Sequence, residues 1–145
     1  MEKLKNIFRV DETKGVSPFR FYLLRFFYVV IMVLLGSDVW TEIFTHEGSW
    51  EPLPGVAYSF WAAFTVLAIL GVLHPLKMLP LLLMQFTYKL IWIIIVAFPL
   101  WSANQLAGSP AEGLAGINAV GIIIDLLVIP WHYVIKNYIL SSASK

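Results

Sequence analysis

Residues 85–95 read QFTYKLIWIII, a run that belongs in lipid except for Lys89 near its centre. A charge midway along a membrane helix costs ~3 kcal/mol on insertion scales, and more on an isolated helix. This lysine therefore calls for a partner. The run lies inside a longer apolar segment, 80–101, which is long enough to cross a hydrocarbon core as a helix. Three further segments, 18–40, 56–73 and 116–138, have the same character. They are uniformly apolar and too long for the period-two alternation of membrane β-strands. The expectation is an all-α, polytopic membrane protein with four transmembrane helices in an antiparallel bundle.

Composition agrees with that solvent. Of 145 residues, 59% are hydrophobic and 13% charged, with a mean hydropathy of +0.79. Soluble domains carry roughly 25% charged residues, so a water-facing surface is missing. One transmembrane domain, 18–138, is expected between an N-terminal segment, 1–17, and a tail, 139–145. The formal net charge of +1 says nothing by itself about nucleic acid, since the distribution of charge matters and not its sum; no nucleic-acid partner is expected. Cysteine is absent, which excludes a thiol relay, a disulfide framework and a thiolate metal site. The first apolar run has no small-residue cleavage site at a suitable distance, so it is read as a retained helix.

Orientation follows from the positive charges. Lys3, Lys5, Arg9, Lys14 and Arg20 precede or begin the first helix, Lys77 lies in the turn between the second and third, and Lys136 and Lys145 close the chain. The other two loops, roughly 41–55 and 102–116, hold Glu42, Glu47, Glu51 and Glu112 but no lysine or arginine. The positive-inside rule then places both termini in the cytoplasm and both longer loops outside. Ser17 and Pro18 read as N-cap and first helical residue. Trp40, Trp50, Trp101 and Trp131 fall near the expected interfaces. Leu4, Ile7 and Phe8 recur among basic residues, a pattern that fits either a short interfacial helix or a polar tail.

Asp125 is the only carboxylate of the fourth segment, in GIIIDLLVIP. It and Lys89 reach similar depth from opposite directions at ~1.5 Å per residue, so the two are expected to pair. Asn118, Gly121, Asp125, Val128 and His132 step by threes and fours along one face, and Gly121 would admit a neighbouring backbone. Gln85 stands one turn from Lys89. The expected seam therefore runs Asn118, Lys89 with Asp125 and Gln85, then His132. It reads either as a set of helix-holding hydrogen bonds or as the lining of a small pocket or proton path. Arg25 either snorkels to headgroups or faces inward near His132. Asp38 and Glu42 read as solvated, and His74 as a loop residue.

No nucleophile elbow, HExxH, Ser–His–Asp set or phosphate loop is present, so no catalytic residue is assigned. His46, His74 and His132 lie on separate elements, and no metal site is expected. The cofactor is left open.

The stretches RFFYVVIMVLLGSDVWTEIF (25–44) and GVAYSFWAAFTVLAILGVLHPLKMLPLLL (55–83) resemble the DoxX-like group of small four-helix membrane proteins. Arg25 early in the first helix, Gly36 late in it, and Gly71 before a proline-containing turn carry the likeness. The resemblance implies a bacterial inner-membrane bundle but supplies no site residues; the charged pair is no motif of that group. Three functions stay open: a ligand-binding or accessory subunit, an oligomeric proton- or ion-coupled transporter, and an enzyme on a lipophilic, quinone-like substrate. The partners these readings admit are the bilayer, a lipophilic small molecule and further copies of the chain.

Overall fold

A computed structural model describes Arg9, Asp11 and residues 15–140. The residues proposed for an interfacial helix, Leu4, Ile7 and Phe8, lie outside the described residues. Among the described residues are four helices long and apolar enough to cross a membrane: α1 (Pro18–Thr45), α2 (Pro52–Leu73), α3 (Leu79–Ser102) and α4 (Ala111–Val128). A short α5 (Trp131–Val134) runs on into a π-helical turn, Ile135–Leu140.

The helix ends differ from the sequence expectation, each for a local reason. Ser17 caps α1, its hydroxyl accepting the Arg20 N–H at 3.3 Å, with Pro18 in the first turn. Nothing in residues 41–45 breaks the backbone, so α1 passes Trp40 and stops at His46, before Gly48 at φ +86°. Pro52 and Pro54 precede the expected start of the second segment at 56. They sit instead in the first turn of α2, where a missing N–H costs no helical bond. The glycine-rich stretch before 116 is already helical from Ala111, and Glu112 accepts the Gly108 N–H at 2.8 Å.

The fourth segment is not one helix to residue 138. Pro130 cannot donate to the ladder, and Ile129 before it turns extended at ψ 125°. Helix α3 is continuous but changes type: Ile93–Ala97 form a π turn just before Pro99. A proline ring clashes with the carbonyl four residues back, and a wider turn N-terminal to it relieves that clash.

The described residues fall into two compact units. One holds the residues up to Leu81 and those from Pro130 on; α1 and α2 pack within it. Leu24, Tyr28, Ile31 and Val39 face inward on α1, and Ala62, Thr65, Ala68 and Gly71 on α2. The small α2 residues allow close approach: Thr65 lies against Gly36, and the Tyr28 ring covers Gly71. Ser59, one turn before Ala62, is exposed. Trp40, expected at an interface, instead donates to Thr65 Oγ1 at 3.1 Å, and Thr65 donates to the Ala62 carbonyl at 2.8 Å. Tyr28 is fully buried, with its hydroxyl 3.5 Å from the Pro75 carbonyl oxygen. Tyr138 donates to the Leu76 carbonyl at 3.2 Å, tying the segment after Pro130 to the α2–α3 turn.

The second unit, Leu82–Ile129, contains most of α3 and all of α4, with the π turn packed on α4. Helix α4, which carries most of the expected seam, is not the most buried. It is the least, at 22% of its membrane window against 28% for each of the others. Its isoleucines and leucines (Ile117, Ile123, Leu126 and Leu127) are exposed, as suits a helix with one narrow packed face in lipid.

Candidate functional site

Within the second unit, Gln85 and Lys89 stand four residues apart on α3 and so share one face. Both reach Asp125. Lys89 Nζ donates to Oδ2 at 3.0 Å, and Gln85 Nε2 donates to Oδ1 at 3.1 Å, with Oδ2 at 3.5 Å. Asp125 has no exposed surface, and the Lys89 side chain is 9% exposed. Charge is neutralised locally, and the carboxylate is held at both oxygens by donors from one neighbouring helix. This is the arrangement in which a buried ion pair can offset its desolvation.

Gly121 makes the geometry fit. A Cβ at this position would stand 2.6 Å from Lys89 Nζ, 3.1 Å from Cε and 3.4 Å from Cδ. The lysine stem therefore runs over bare backbone one turn before Asp125. A side chain there would have to push the ammonium away or force the helices apart. Asn118 and Val128 are buried on the same face of α4 as Asp125, though Asn118 takes no part in the hydrogen-bond cluster.

His132 departs from the expected seam. The break at Ile129–Pro130 ends the helical phase that would have aligned it with Asp125, and the residue is exposed. It also falls in the other unit, as does Arg25. The Arg25 guanidinium bends back over its own helix, 4.8 Å from the Phe21 ring centre and 5.9 Å from that of Tyr22. That direction leads toward the start of α1, and no hydrogen bond joins it to His132. Its Nε is buried without a hydrogen-bond partner. Of the five polar residues expected along the seam, Lys89, Asp125 and Gln85 are brought together.

Two features escaped the sequence reading. The π turn Ile93–Ala97 begins one turn beyond Lys89, and Pro99 was its only signal. The other is an aromatic cluster at the loop between α1 and α2. There His46 stacks on Trp50 at 3.8 Å, and Trp50 meets Tyr58 at 4.9 Å. Among the described residues no three His, Asp or Glu side chains are placed to hold a metal ion. Compared with family models, curated proteins and solved structures, the chain finds no match.

Proposed function

We propose that this multi-pass membrane protein works without covalent chemistry, as a ligand-binding or accessory subunit, and that the Lys89–Asp125–Gln85 cluster is its polar site. The observation that supports the reading is the cluster's unused capacity. An ammonium group has three N–H donors, and Lys89 directs one of them to Asp125. Gln85 donates its amide to the carboxylate, and its carbonyl oxygen is left out of the cluster. A polar headgroup on a lipophilic molecule could accept from Lys89 while Asp125 keeps the site neutral overall. Ionisable residues inside a membrane mark ligand, substrate or ion sites in many proteins.

Four spans with lysine and arginine at the ends and in the α2–α3 turn favour cytoplasmic termini and alternating, antiparallel crossings. A DoxX-like relationship and a bacterial inner-membrane location rest on Arg25, Gly36 and Gly71. The two glycines stand at the α1–α2 contact.

The test is a mass spectrum of the lipids and quinones that co-purify with the chain and with a Lys89→Met/Asp125→Leu double variant. A lipophilic molecule retained by the first and lost by the second is expected. Identical molecules in both preparations would overturn the proposal and leave the pair as a pin for helix register.

A further inference from the structure

The end of the α1–α2 pair that carries loop residues 46–51 contains a cleft of about 660 Å³. Its walls include Ile43 from α1 and Trp50, Pro52, Val56, Tyr58 and Phe60. Aliphatic and aromatic groups thus line one opening, within the ~300–1,000 Å³ usual for small-molecule sites.

The aromatic wall is preorganised. Trp50 belongs to a series of ring contacts, with His46 stacked on it at 3.8 Å and 17°, Tyr58 tilted against it at 4.9 Å, and Trp61 edge-on to Tyr58 at 5.6 Å. His46 is itself held, with Nδ1 at 3.4 Å from Glu42 Oε1. It is not a wall of the cleft, so it props the indole from outside.

Charge around the opening has one sign. Between Arg25 and Lys77 the chain has no lysine or arginine, and its charged residues are Asp38, Glu42, Glu47 and Glu51. Glu47 and Glu51 are exposed, and Glu51 lies between two wall residues, Trp50 and Pro52. Aromatic faces attract cations through their quadrupole, indole most strongly, and acid-only surroundings add to that attraction.

We propose that this cleft binds a free lipophilic cation of the quaternary-ammonium class. Its charged head would lie against Trp50 and Tyr58, and its apolar body against Ile43 and Val56. A zwitterionic lipid headgroup fits less well, because its phosphate would face the same carboxylates. The site is in the first unit and does not depend on the Lys89 cluster.

The probe is benzyltrimethylammonium, measured by equilibrium dialysis against the full chain in an uncharged maltoside detergent. One saturable site per chain is expected. Trp50→Leu should weaken binding at least about tenfold, the scale of one desolvated cation–π contact. Glu47→Gln/Glu51→Gln should weaken it several-fold and, being an exposed change, decides the matter where Trp50→Leu fails to fold. Unchanged affinity in the glutamine variant would overturn the proposal. So would equal competition by neopentylbenzene, the neutral isostere, which would show that only apolar shape is read. Displacement of the probe by added phosphatidylcholine would reassign the cleft to a lipid headgroup.

Discussion

Lys89→Met takes away the ammonium 3.0 Å from Asp125 and leaves a wholly buried carboxylate with Gln85 as its remaining donor in the cluster. Methionine keeps most of the lysine stem over Gly121, so lost packing is a small part of the effect. Breaking a buried pair from one side typically costs ~3–5 kcal/mol, because the surviving group is buried without compensation. Asp125→Leu strands the ammonium instead and should cost about as much. If the two changes were independent, the double variant would be about 6–10 kcal/mol less stable, beyond what most small proteins can lose. With the pair in contact, removing both charges deletes the desolvation and the attraction together, an exchange that is often neutral or stabilising. The double variant should then lie near wild type, so that the coupling is about as large as the additive loss, about 6–10 kcal/mol. Denaturant titration in detergent, followed by tryptophan fluorescence, measures all four corners of the cycle. Additive losses would refute the contact and with it the explanation of how Lys89 is tolerated in the membrane.

Gly121→Leu should destabilise the second unit by ~1–3 kcal/mol through overpacking on Lys89, whose Nζ would be the nearest atom to the new Cβ at 2.6 Å; in a Lys89→Met background, which removes that atom, the penalty should shrink, and an undiminished penalty would place the clash elsewhere. Gly71→Ala should cost a similar amount, since its Cβ would overlap the Tyr28 ring. Gly36→Ala meets Thr65 at an ordinary 3.8 Å and should change stability by less than about 0.5 kcal/mol. Thermal melts of the two alanine variants that rank them the other way would contradict the α1–α2 packing. Because the chain has no cysteine, topology can be read from single introduced thiols. Ser49→Cys and Ser109→Cys should react with an impermeant maleimide added outside intact cells, and Ser142→Cys only after the membrane is opened. The reverse pattern would invert the orientation.

Much of the second unit's chemistry was legible in the residues themselves. A lysine in QFTYKLIWIII needs a counter-charge, and the fourth segment offers Asp125 as its only carboxylate. Equal depth from opposite ends then makes the two candidates for each other. Gly121 was readable as a point of close approach, though not as the bed for the Lys89 stem. Gln85 was placed one turn away, which is where a second donor to the same carboxylate must stand.

The apolar runs determined by themselves that four helices would form, because membrane solvation depends on the composition and length of each segment and not on its neighbours. Local backbone chemistry decided where each helix stops, and tertiary structure decided which of its polar groups meet. Prolines show why. Pro52 and Pro54 begin a helix, Pro99 is absorbed by a π turn, and Pro130 ends one. The same residue type had these different outcomes because each depends on whether the missing N–H falls in a helix's first turn, where no bond is lost, or inside its ladder. Direction is more sensitive still. Each helical residue turns the face by about 100°, so a single broken turn discards the phase beyond it. Asp125 lies before the break at Ile129–Pro130 and keeps its partners; His132 lies after it and is exposed.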